Sequence, residues 1–186
     1  MSNKRRDIAQ AANRVFYREG FAAVGIDRLV DEADVALGTL YRHFGDRTQV
    51  IVAALEHRHA EFLAYLEESA HPGEGADCVL QLFDALGSWS QGRGGNGCLF
   101  LRAAADHPQD ERIRQAALDH KRRYLALVEQ RLRQGGRRAE QARELAPVIF
   151  LLLEGAVAAA FTLGDEAAVA GARQAAAILL AQPGAP

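Results

Sequence analysis

Between Pro147 and Leu163 the chain reads PVIFLLLEGAVAAAFTL, and in that run only Glu154 and Thr162 carry polar side chains. A helix of this composition has no face for water, so it belongs in a bilayer, in a core, or against a second chain. The run is shorter than the roughly 20 residues a hydrocarbon span needs, and Glu154 near its middle costs roughly 2.5–3.5 kcal/mol there. The expectation is therefore a helix buried all round, with one side on its own domain and the other on a partner. Gly155 and Ala159, four apart, let another helix come close. Gly164 stops the helix, Asp165 caps the next, and residues 167–180 offer a small-residue face of Val169, Ala172, Ala176 and Leu179. Two such helices from each of two subunits form a four-helix bundle, so Gly155, Ala159, Val169, Ala172, Ala176 and Leu179 are the expected homodimer interface. The alternative, in which they only complete a monomer core, stays open.

Helical periodicity extends over the rest of the chain. Ile8, Ala12, Val15 and Phe16 share one face of a helix from Lys4 to Glu19, with the cations Lys4, Arg5 and Arg6 as a short basic lead-in and Gly20 as its stop. Asp46 and Gln49 form a capping-box-like start for a helix over residues 47–69, with Ile51, Leu55, Arg58, Phe62 and Tyr65 on one stripe. At about 1.5 Å per residue this helix is ~30 Å long, enough to link two domains. His71-Pro72-Gly73 ends it. Further helices are expected over 76–91 and 98–106, then from a cap at Asp110 to about Gln134 with the stripe Ile113, Ala117, His120, Tyr124 and Val128. Nothing alternates like a strand, so the expected fold is all-α with about nine helices. Residues 183–186 are read as a tail.

The stretch 24–47, VGIDRLVDEADVALGTLYRHFGDR, carries the most specific pattern. Ile26, Leu29, Val30 and Ala33 line one face of a short helix whose N-cap is Gly25. Asp34-Val35-Ala36 breaks the period, and Leu40 and Phe44 resume it as the inward face of a second short helix. The other side of that helix holds Gly38, Thr39, Arg42 and His43, with Tyr41 at its flank. Hydroxyl, guanidinium, imidazole and a position without a side chain suit close approach to a polyanion. A second helix laid in a major groove is the helix-turn-helix solution.

Gly38-Thr39-Leu40-Tyr41-Arg42-His43-Phe44, preceded by Ala33-Asp34-Val35 and followed by Gly45-Asp46-Arg47, resembles the DNA-binding domain of bacterial TetR-family regulators. The resemblance covers about the first 50 residues; the remainder matches as a helical body of suitable length. It departs at Ala36, where a capping Ser is common, so a cap worth roughly 1 kcal/mol is missing. It departs again at Leu37, where Lys often contacts DNA. The resemblance implies a helix-turn-helix domain over 1–47 and a ligand-binding and dimerisation domain over 48–186. It also implies a cytoplasmic homodimeric regulator, most often a repressor, on a palindromic double-stranded operator. By resemblance Tyr41, His43 and Arg47 hold phosphates, which sets register. Thr39 can meet a base edge or a thymine methyl, Arg42 a guanine or a phosphate, and Leu37 a methyl. Gly38 lets the helix lie close, and Arg28 is a further phosphate or base contact.

Charge limits how such a protein works. The net charge is −2, and residues 1–47 hold eight Lys/Arg against seven Asp/Glu. Placed cations rather than bulk charge must carry affinity, which is then salt-sensitive. Enzyme signatures are missing: there is no nucleophile elbow and no HExxH, and Asp84, Asp106 and Glu154 come from separate segments. His57 and His59 are two apart and so on different faces. The loop GRGGNG at 92–97 lacks the Lys-Ser/Thr of a P-loop. No catalytic site, metal or cofactor is expected, nor a membrane partner.

In the second domain Phe62, Tyr65, Phe83, Trp89, Phe100, Tyr124 and Phe150 come from successive helices and are the expected lining of one apolar effector cavity. His120 and Glu154 on apolar faces need partners if buried. They either pair with each other, Arg58 or Arg102, or orient a small, mostly apolar ligand. Two rival readings remain: a thiol-responsive regulator using Cys78 and Cys98, and a helical ligand-binding module without DNA function.

Overall fold

Among the described residues, 3–165 and 167–182 of this computed structural model, every regular element is a helix. The expected tail at 183–186 lies outside them. The order is α1 (Asn3–Glu19), α2 (Ile26–Ala33), α3 (Leu37–His43), α4 (Arg47–Glu68), α5 (Asp77–Gly92), α6 (Leu99–Asp106), α7 (Glu111–Gln134), α8 (Ala139–Leu163) and α9 (Ala167–Ala181). Contacts divide them into two units, Met1–Phe62 with Leu99–His120, and Leu63–Cys98 with Lys121–Pro186.

The first unit is built on the stripes the sequence shows. Ile8, Ala12, Val15 and Phe16 of α1 are buried with Leu29 of α2, Leu40 of α3, Phe44, and Ile51 and Leu55 of α4. Lys4, Arg5 and Arg6 are not a lead-in but part of α1, which starts at Asn3. The Arg5 guanidinium lies 4.2 Å over the Phe44 ring and donates to the His43 carbonyl. Asp46 Oδ1 accepts the Gln49 N–H at 2.8 Å, as a cap of α4 should, while Gln49 Oε1 accepts the Gly45 N–H at 3.2 Å, one residue before the Asp46 N–H of a full capping box. Asp110 caps α7 through the N–H groups of Arg112 and Ile113 and also accepts the Thr48 hydroxyl at 2.8 Å.

In the second unit the helix expected from Pro147 starts eight residues earlier, at Ala139. Gln141 Oε1 accepts the Arg138 N–H at its entrance. Pro147 sits inside α8 because Ala142, Ala146, Ile149 and Leu153 bury a stripe on both sides of it. At 25 residues α8 is long and apolar enough to cross a bilayer. Length therefore no longer separates it from a membrane span. Its charges Glu140, Arg143 and Glu144 precede the apolar stretch, and Glu154 lies inside it. Nor is α8 buried all round within the chain: Val148, Leu151, Phe161 and Leu163 are exposed, Leu151 at 69%. The helix α9 packs on α5 and α8 through Val169, Ala176 and Leu180.

Candidate nucleic-acid interface

The turn between α2 and α3 is made by backbone. Asp34 takes the left-handed conformation with φ 48°, and its N–H and that of Val35 close onto the carbonyls of Asp31 and Val30, both at 3.2 Å. Asp is among the few side chains that tolerate this region. With no side-chain cap at Ala36, the Thr39 and Leu40 N–H groups both bond to the Ala36 carbonyl. Leu40 and Phe44 are fully buried, which fixes the rotation of α3 and turns its remaining residues outward.

Leu37 and Tyr41 are about half exposed (47% and 48%), Gly38 and Arg42 are exposed, and Thr39 and His43 are half-buried. Among the described residues Arg42 makes no hydrogen bond or ion pair. A Cβ added at Gly38 meets nothing within 4 Å, so nothing in the chain's own packing calls for glycine there. The face is open, low at one point, and cationic at another.

Arg28 and Arg47 stand differently. Arg28 donates to Glu19 at 3.2 and 2.8 Å and to Glu32 at 2.9 Å. Arg14 and Arg18 also reach Glu32, each at 3.3 Å. The five charges join α1 to α2. The guanidinium groups of Arg28 and Arg18 hold the Glu19 carboxyl below its usual value. For Glu32, burial works the other way but is outweighed by Arg28, Arg18 and Arg14. Arg47 donates to the carbonyls of Val24, at 3.0 and 3.3 Å, and Phe21, with its charge 5.5 Å from the Phe16 ring. Burial pushes its pKa down. Arg47 thus ties the α1–α2 loop to the start of α4.

Several contacts that hold this unit together have no local signature. Arg112 donates to Asp46 at 3.0 Å, Arg102 to the Tyr17 carbonyl at 3.2 Å, and the Arg58 guanidinium lies 4.1 Å over the Tyr17 ring. All join residues more than 40 positions apart. The sequence offered only an unexplained polar residue on an apolar stripe.

The residues expected around an effector fall into separate groups. In the first unit the His120 ring stacks on Phe100 (3.5 Å, 3°), lies 5.8 Å from Phe62, and its Nδ1 is 3.0 Å from His59 Nδ1. In the second unit Tyr65 packs on Trp89 at 5.2 Å and Tyr124 on Phe150 at 5.7 Å, while Phe83 is fully buried. Burial pushes the Tyr124 hydroxyl far up, with Glu154 adding to it. Both polar residues have partners on a neighbouring helix. Glu154 bonds to Lys121 of α7, and His120 Nδ1 meets His59 Nδ1 of α4. Lys121 Nζ is also 3.3 Å from Cys98 Sγ, and Cys78 donates to the Gly73 carbonyl; both cysteines are free thiols.

Of the residues expected between subunits, Gly155 is exposed and Ala159, Ala172 and Leu179 are half-buried. Val169 and Ala176 are buried in their own unit at 7% and 0% exposure. The outward apolar residues beside them are Leu151, Phe161, Leu163 and Ile178.

Comparison with known proteins agrees with the fold. Residues 8–54 match the family model described as bacterial regulatory proteins, tetR family. Residues 79–175 match that of the transcriptional regulator LmrA/YxaF-like C-terminal domain. The chain is 26% identical over 165 residues to the HTH-type transcriptional regulator LmrA of Bacillus subtilis, covering 86% of this chain and 87% of LmrA. It is 27% identical over 135 residues to the HTH-type transcriptional repressor NemR of Escherichia coli K12, covering 70% and 68%. The crystal structure of SCO4454, a TetR-family transcriptional regulator from Streptomyces coelicolor, superposes with a TM-score of 0.83 at 27% identity over 97% of this chain and 95% of that one. An all-helical body, a buried-anchor α3 with an open polar face, and two family matches that together run through most of the sequence lead to one assignment: the chain is a DNA-binding transcriptional regulator of the TetR family.

Proposed function

We propose that the chain is a cytoplasmic repressor that binds a palindromic operator as a homodimer and leaves it when a small, mostly apolar effector enters the helical body. The observation that carries the DNA reading is the outer face of α3. Its anchors Leu40 and Phe44 are fully buried while Gly38, Thr39, Tyr41 and Arg42 face outward, and Arg42 is uncommitted among the described residues. Thr39 and Arg42 read base edges, Gly38 admits the groove wall, Leu37 touches a methyl, and Tyr41 and His43 fix register on phosphates. Arg28 and Arg47 reach phosphate only by giving up part of the bonds described above. The apolar outward residues of α8 and α9 favour a second copy as the partner. Two recognition helices then meet half-sites ~34–36 Å apart or a multiple of that.

An effector that favours a conformation with mismatched half-site spacing by ~1–3 kcal/mol weakens operator binding about 5- to 150-fold. Gel retardation on the DNA flanking the chain's own gene tests this. A discrete complex that resists non-specific competitor is expected, and equal weak binding to every duplex would count against it. A second reading has one observation in its favour. Lys121 Nζ beside Cys98 Sγ gives the thiol a cationic neighbour, and the NemR structure is described as a reduced form. If a Cys98→Ser protein loses operator release by peroxide while the parent retains it, the thiol-responsive reading takes over.

A further inference from the structure

Within the second unit the end of α5, the glycine-rich loop after it, the last turns of α8 and the start of α9 border a half-open cavity of about 320 Å³. None of the aromatic residues expected around an effector lines it. Its walls are apolar where the helices supply them, through Val157, Ala160 and Phe161 of α8 and Val169 of α9. Two polar side chains, Ser90 and Gln91, face it from the end of α5. Among the described residues neither of them is engaged in a hydrogen bond. Among the described residues no ionisable side chain lines the space.

The loop packs closely against the end of α5. Gly94 is buried, and a Cβ there would stand 2.6 Å from Trp89 Cδ1 and 3.0 Å from the Ser90 Cα. The N–H groups of Arg93 and Gly94 both close on the Trp89 carbonyl at 2.7 Å, which folds the loop back against the end of α5. Glycine at 94 permits this close approach to α5, and the loop backbone at Gly94 and Gly95 forms one side of the cavity. The volume, the apolar walls and the small number of uncommitted polar groups are the marks of a small-molecule site.

We infer that this α5–α8–α9 cavity is a binding site for an uncharged, ring-bearing apolar molecule with a single hydrogen-bonding group, held by Ser90 or Gln91. An anionic ligand meets no cation among the described residues of the lining, and leaving its charge unpaired against apolar walls is costly. The inference rests on the effector reading above only for its regulatory meaning; the binding itself stands apart from it.

Trp89, the chain's only tryptophan, borders the loop and reports on the site. Uncharged N-phenyl-1-naphthylamine, titrated into the full-length protein, is expected to gain emission and quench Trp89 with micromolar affinity, about −8 kcal/mol. Its sulfonated analogue should bind at least about tenfold more weakly. Filling the cavity from two different helices, Ser90→Phe on α5 and Ala160→Phe on α8, should each weaken the neutral probe about tenfold or more with the helical circular-dichroism signal intact. Phe100→Ala, in the other unit, should leave probe binding unchanged. Three results would overturn the assignment. One is no saturable binding by the parent. Another is parent-like binding by both filled variants. The third is binding that appears only on dilution to monomer, which would mean that a second copy occupies the space. Probe binding that leaves operator affinity untouched keeps the site but counts against it as the effector site.

Discussion

At the scale of single residues, Arg47 shows how an exposed-sounding cation becomes structural. Its guanidinium satisfies the Phe21 and Val24 carbonyls in a half-buried setting. Arg47→Ala leaves two backbone acceptors short of a donor, which costs about 1–3 kcal/mol. A lowered urea midpoint with an unchanged slope is the expected result, and a midpoint equal to the parent's would show that water replaces the guanidinium freely. The same reading separates Arg47 from Arg42, whose removal should leave stability alone because nothing among the described residues leans on it.

Between elements, the N-terminus of α7 is held by Asp110, which serves its own helix and Thr48 of α4 at once. Thr48→Val removes only the link and should cost about 1 kcal/mol. Asp110→Ala also removes the cap and should cost about 1–2 kcal/mol more. Chemical denaturation of both variants checks the order; equal losses would mean that the cap contributes nothing, and no loss in Thr48→Val that the link contributes nothing. Pro147 makes the opposite prediction. It is exposed, nine residues into α8, where proline lacks the helical N–H and crowds the preceding turn. Pro147→Ala should therefore raise the melting temperature, by about 2 kcal/mol of added stability after the lost rigidity of the unfolded chain is counted. A fall would show that α8 depends on a bend there. These elements also mark what the sequence makes legible. The stripe Ile113–Ala117–His120–Tyr124–Val128, the Asp46–Gln49 start and the inward pair Leu40–Phe44 were readable because each is set by neighbours three or four apart. The start of α8 at Ala139 was hidden, because Pro147 imitates a beginning and the charged turn before it imitates a loop. The pairs Lys121–Glu154 and Thr48–Asp110 were invisible, since partners 33 and 62 positions apart leave no periodic trace.

For the whole molecule, acid is the simplest probe of its ion pairs. Hydrogen bonds from Arg28 and Arg18 hold Glu19 below its ordinary 4.5. The Gln49 N–H and Arg112 hold Asp46 below 3.8, and the Thr48 hydroxyl and the α7 N–H groups do the same for Asp110. Burial holds His57 below 6.5. Each of these groups binds fewer protons when folded than when unfolded, so each stabilises the fold fully above its unfolded value and less as pH falls. The melting temperature should be level at neutral pH, begin to decline near pH 6.5 through His57, and drop faster below about 4.5 as the carboxylates protonate. A profile that rises toward acid would contradict these pairings. The proposed regulation also belongs to this scale, because in that proposal two copies of α3 read a palindrome and the apolar outward residues of α8 and α9 meet a second copy. The most direct test is fluorescence anisotropy of an operator duplex and its scrambled counterpart against the parent and a Thr39→Ala/Arg42→Ala double variant. The parent should prefer the operator by about a thousandfold or more, and the variant should lose most of that preference while melting at the parent's temperature. A parent that binds both duplexes alike, or a variant that keeps the full preference, would show that the outer face of α3 does not read DNA.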